Sequence, residues 1–181
     1  MTNDCFEPEE LIARIGAEFF NVVPSNYKTY CSLTARISQF ALQCFGVSSE
    51  LKSCQLWHLG SRSNFVIGFV GHQKLEGKWD GHVVCVSGEY IVDATVSHLA
   101  RDFGVSVPDV IVGKCFDVPS RILCRVRLSD NESLMWIEPP RKFNPVAPVQ
   151  PEAIIEQYGK LLADRIRCGY PLHEVLDRRI S

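Results

Sequence analysis

Three side chains in this sequence could do covalent chemistry together: Cys31, His82 and Asp93. Two of them lie in GHVVCVSGEYIVDAT, residues 81–95. Here two β-branched and apolar runs flank a Ser87–Gly88 pair, the pattern of a β-hairpin. With Ser87–Gly88 as a two-residue loop, Val86 faces Glu89 and His82 sits directly opposite Asp93. With Gly88–Glu89 as the loop, Asp93 faces Val84, and His82 lies diagonal to Asp93 on the same face. Directly paired residues have Cβ atoms about 4.5–5.5 Å apart, within reach of an imidazole–carboxylate hydrogen bond. Such a bond fixes the tautomer, stabilises the protonated ring and leaves the other nitrogen for chemistry. The plainer reading is a half-exposed salt bridge on a strand.

A His–Asp pair suited to catalysis needs a nucleophile, and Cys31 is the best placed of the eight cysteines. It stands near the start of a helix written in YKTYCSLTARISQFALQCFG, residues 27–46. Helix N-termini and imidazolium neighbours both favour a thiolate. With Asn26 as N-cap, Cys31 falls in the second turn; with Thr29 as N-cap, it falls in the first. On the helical wheel it borders the apolar stripe of Leu33, Ile37, Phe40, Ala41, Cys44 and Phe45. A residue facing a sheet edge would stand there.

The elements that must position these residues follow from hydrophobic periodicity. EPEELIARIGAEFF predicts a first helix, with Leu11, Ile12, Ile15, Phe19 and Phe20 on one face, and Gly46 is a plausible terminator of the second. The period then shortens, and CQLWHL, NFVIGFVG, HVVCVS, EYIVDA, RILCRVRL and SLMWIEP read as strands. SDNES is a hairpin turn, SHLARDFG a short helix, and DVIVGKCF either a strand or a covering loop. Residues 138–151 hold five of the ten prolines and read as an extended strap. Behind them EAIIEQYGKLLADRIRCGY is an amphipathic helix, over about residues 152–168, and PLHEVLDRRIS adds a last helical turn or two. This tail either packs back on the sheet or serves as an arm for a partner or a second copy. The order predicts one α+β domain over residues 1–181, with its core at about 25–138: N-terminal helices on an antiparallel sheet, then a C-terminal helix.

Composition narrows the function classes. The chain has 181 residues, 46% hydrophobic and 22% charged, with a formal net charge of −2. It is long enough to bury a core without metals or disulfides. Basic runs are short, which argues against a nucleic-acid or anionic-membrane surface, and no apolar run approaches the roughly 20 residues of a bilayer span. The acidic N-terminal segment lacks the order of a signal peptide, so the expected location is cytoplasmic, or that of an effector exported without such a signal. Several cysteines sit in apolar settings, as in HVVCV and RILCRV, so reduced thiols are expected. The cysteines and histidines form no CxxC, HxxxH or mixed cluster, and neither a metal nor another cofactor is expected.

A cysteine opening a helix, then a histidine on one strand and an aspartate on the next, resembles the transglutaminase-like cysteine enzymes of the wider papain-like group. That group's W-x-G-H-x-x-V and hydrophobic-D-x-T segments have counterparts in KWDGHVVCV and YIVDATV, and the likeness spans about residues 25–96. The resemblance implies Cys31 as nucleophile, His82 as general base and Asp93 as the residue that orients the imidazole. It also implies a helix packed on an antiparallel sheet. Papain-type enzymes carry a glutamine before the cysteine to help hold the oxyanion, and no glutamine precedes Cys31 here. Asn26, with the backbone N–H of Cys31, is the candidate in its place, and Trp79 is a candidate wall beside His82. The Arg-Gly-Gly-x-Cys signature of the arylamine acetyltransferases is missing, KTYCS standing in its place.

The expected function is therefore a thiol-dependent hydrolase or acyl transferase. Its substrate would be a peptide, a protein or a small amide or ester, attacked through an acyl-enzyme thioester. The alternative is a non-catalytic binding module that keeps the fold, with the C-terminal arm as docking surface or homodimer contact. The abundance of thiols supports a third reading, a redox sensor.

Overall fold

The computed structural model describes residues 6–61, 63–68, 81–116, 121–139 and 149–169. Helix α1 (Pro8–Val22) starts on a proline, whose missing N–H costs nothing at that position. Leu11, Ile12, Ile15 and Phe19 are fully buried along one face, each contributing roughly 1.5–3 kcal/mol of burial. After a 3-10 turn at Ser25–Tyr27, α2 runs from Cys31 to Gln43. The chain leaves α2 through Gly46 at φ 71°.

Among the described residues seven strands follow, all antiparallel: β1 (Glu50–Gly60), β2 (Asn64–Ile67), β3 (His82–Ser87), β4 (Tyr90–Asp93), β5 (Ile111–Lys114), β6 (Ile122–Ser129) and β7 (Glu132–Ile137). Their order is β5-β4-β3-β1-β7-β6, with β2 also paired to β1. A bridge between Cys115 and Cys124 joins the two outer strands, so the sheet curls almost into a barrel. The short helix α3 (His98–Phe103) lies between β4 and β5 and ends at Gly104. Helix α4 (Glu152–Arg167) closes the described fold.

Strand alternation divides the core in two. Val83, Cys85 and Val92 face the layer formed by α1, α2 and α4. Cys54, Leu56, Val84, Val86, Ile91, Ile111, Cys124, Leu134 and Trp136 fill the inside of the curled sheet, with Leu99 of α3 among them. Strand β3 is buried along its whole length because both faces are covered.

The α+β arrangement expected from the sequence holds, and DVIVGKCF supplies a strand, β5, rather than a covering loop. Two expectations are corrected. The hairpin loop is Gly88–Glu89, since Ser87 pairs with Tyr90 and Cys85 with Val92. The sequence has one glycine at the turn, and it serves as the first loop residue at φ 54°, not the second. The C-terminal helix packs on α2 and α1 rather than on the sheet. Ile155, Leu162, Ala163 and Ile166 are buried there, so this apolar face is already covered. At Gly159 an added Cβ would lie 2.6 Å from Phe40 Cδ1, so the α2–α4 contact requires glycine. The strap residues 140–148 and the terminal PLHEVLDRRIS segment lie outside the described residues.

Candidate active site

Asp93 ends β4, and its side chain points into the closed interior, 2% exposed. Both carboxylate oxygens are fully used. Oδ2 receives the His82 Nε2 bond at 2.6 Å and accepts from Trp136 Nε1 at 2.8 Å. Oδ1 accepts from the Thr95 backbone N–H at 3.0 Å and from Thr95 Oγ1 at 2.8 Å. Two of these donors are local, because an aspartate readily bonds the backbone two residues on. Trp136 comes from β7, where it is paired with Leu56 of β1.

His82 opens β3 and is also 2% exposed. It is diagonal to Asp93, not directly opposite, because of the shifted loop, and the two still meet at hydrogen-bonding distance. Burial alone would strip the charge from the ring. The Asp93 charge and hydrogen bond outweigh it, aided by Cys31, and push His82 up to about 10. Burial likewise works against the charged carboxylate, but His82, Trp136 and Thr95 hold Asp93 well below its ordinary value. The pair is an imidazolium–carboxylate ion pair with its acceptor oxygens satisfied, the condition under which a buried pair is tolerated.

Cys31 is the first residue of α2, with Tyr30 as the cap. Neither Asn26 nor Thr29 caps the helix, because the 3-10 turn occupies Ser25–Tyr27 and the chain must leave it before α2 begins. The Cys31 thiol is half-buried, donates to the Gly81 carbonyl at 3.9 Å, and is near enough to His82 to favour its charged form. Nε2 of His82 is taken by Asp93, so Nδ1 is the nitrogen left for the sulfur. Among the described residues the N–H groups of Cys31 and Ser32, in the first turn of α2, donate to no backbone carbonyl.

The structure thus brings Cys31, His82 and Asp93 together. Asn26 is exposed in the 3-10 turn, and among the described residues no hydrogen bond links it to the three. Trp79 lies outside the described residues. Four neighbours escaped sequence reasoning as parts of the site. Trp136 and Thr95 hold the carboxylate. Cys54 pairs across from His82, and its thiol is raised well above its ordinary value by burial, then by Asp93 and Cys31. Gln150 donates to Ser32 Oγ at 2.7 Å, fixing the chain before α4 beside the start of α2. Two of them carried a signal: Thr95 lies in the D-x-T segment, and Trp136 is a tryptophan in an apolar strand whose N–H needs a buried partner.

A separate open depression of about 720 Å³ shares no residue with this cluster. Leu59, Gly60, Phe116, Arg125, Arg127 and Asn131 are among its walls. Among the described residues no group of three or more His, Cys, Asp or Glu could hold a metal. Among the described residues no helix is long and apolar enough to cross a membrane. Compared with known protein families, curated proteins and solved structures, the chain matches none.

Proposed function

We propose that the chain is a thiol-dependent hydrolase or acyl transferase of the transglutaminase-like kind, acting on an amide or ester. One observation carries this reading: a buried His82–Asp93 ion pair leaves one imidazole nitrogen for a thiol at the first residue of a helix. The half-buried Cys31 remains open to a reagent, whereas its charge-stabilising partners are enclosed.

Cys31 sulfur, as thiolate, forms a bond to the substrate carbonyl carbon, and the carbonyl electron pair moves onto oxygen. The N–H groups of Cys31 and Ser32 at the start of α2 would bind that oxyanion. When the carbon–nitrogen or carbon–oxygen bond breaks, the proton on His82 goes to the leaving group. Water or an amine then attacks the thioester, gives its proton to His82 and releases Cys31. Asp93 keeps the ring in the required tautomer throughout and stabilises its charge.

Iodoacetamide labelling over a pH series, read by peptide mapping, tests this. Cys31 is expected to react at pH 6 at least tenfold faster than the exposed Cys168, and His82→Ala should abolish the difference. If Cys31 labels no faster than Cys168, the site is not a nucleophile, and a binding module is the better description.

A further inference from the structure

Of the cysteines that the proposed chemistry does not use, two sit where the sheet closes. Cys115 follows β5 and Cys124 lies in β6, and the two are bridge partners across the seam between the outer strands. Phe116 N–H donates to the Leu123 carbonyl at 3.0 Å. That bond joins the residue after Cys115 to the residue before Cys124, which makes the cysteines a non-hydrogen-bonded pair. Such pairs bring their Cα atoms to about 4.5 Å, inside the roughly 4.4–6.8 Å window of disulfides. The Cys124 sulfur already leans toward β5, 2.5 Å from where a Cβ on Gly113 would stand. Only a glycine leaves room for it there. Cys124 is fully buried and Cys115 partly exposed, so one thiol is open to an oxidant and the other is held as its resolving partner.

We propose that Cys115 and Cys124 form a disulfide under oxidising conditions, stapling the seam at which the sheet closes. With a peroxide as oxidant, Cys115 sulfur takes one oxygen to become a sulfenic acid and releases water or an alcohol. Cys124 sulfur then attacks Cys115 sulfur, the sulfur–oxygen bond breaks, and hydroxide leaves with the thiol proton as water. Two thiols are oxidised and one peroxide is reduced. The proposal is independent of Cys31 and stands whether or not the chain is an enzyme.

The reduced full-length protein is treated with hydrogen peroxide, capped with N-ethylmaleimide, and digested with trypsin without reduction. Trypsin cuts after Lys114, Arg121 and Arg125, so the two cysteines fall in separate peptides unless linked. The expected leading cross-link joins those peptides, and Cys115→Ser removes it. Closing so short a loop in native geometry should raise Tm by about 5–10 °C, and dithiothreitol should reverse the rise. The proposal is overturned if Cys115 goes to sulfinic acid, links to another cysteine or stays reduced. It is equally overturned if the linked protein melts no higher than the reduced one, since the bond would then have formed at the expense of the native seam.

Discussion

Replacing Asp93 by asparagine keeps the shape of the side chain and changes what it can accept. The amide oxygen can still take both Thr95 donors, but an NH2 group then faces Trp136 Nε1 and His82 Nε2. The stranded indole N–H costs about 1–3 kcal/mol, and this part does not depend on pH. The larger effect is electrostatic. His82 holds its proton in the folded protein up to about 10 and releases it in the unfolded chain near 6.5. The raised histidine therefore stabilises the fold fully below pH 6.5, and the contribution is lost as pH rises through 10. At about 1.4 kcal/mol per pH unit this sets a ceiling of about 5 kcal/mol. Asp93 is shifted the other way, so its contribution is present above its unfolded value of 3.8 and is lost as pH falls toward about 2. In Asp93→Asn the imidazolium has no buried counter-charge, and the ring folds neutral. Urea denaturation of both proteins at pH 6 and pH 9.5 should show a deficit several kcal/mol larger at pH 6. A deficit of the same size at both pH values would mean that the pair is a neutral hydrogen bond, and the ion-pair reasoning would fail.

Trp136→Phe retains most of the packing but withdraws one Asp93 donor; a loss of about 1–2 kcal/mol is expected, with an upward shift of the Asp93 titration measured by NMR. Gly159→Ala should cost about 1–3 kcal/mol in urea denaturation, because the new Cβ meets both Cδ1 and Cβ of Phe40. Gly88→Ala should cost about 1 kcal/mol with no steric clash, since nothing lies within 4 Å and the penalty is the positive φ alone.

The face shared by His82 and Asp93 was legible because strand alternation survives an even slip of register. The register itself was not, since one glycine can serve as either residue of the loop. Cys31 near a helix start was legible from the apolar stripe. Its position as first residue was not, because Tyr30 caps α2 without a side-chain bond and so leaves no capping signature. Thr95 lay in a motif visible in the sequence, but its bonds to Asp93 depend on side-chain geometry. Trp136, Cys54 and Gln150 reach the site through pairings distant in sequence, and periodicity carries no information about which strand lies beside which.

The bond from Trp136 to Asp93 spans 43 residues and crosses to a strand near the end of the sheet. During synthesis the ribosome delivers Cys31, His82 and Asp93 well before it delivers that indole. A nascent chain thus holds all three reactive groups while their carboxylate still lacks one of its four donors. The three side chains reach their full electrostatic setting only when β7 docks, so the reactivity proposed for Cys31 would report completion of the fold rather than the mere presence of its residues.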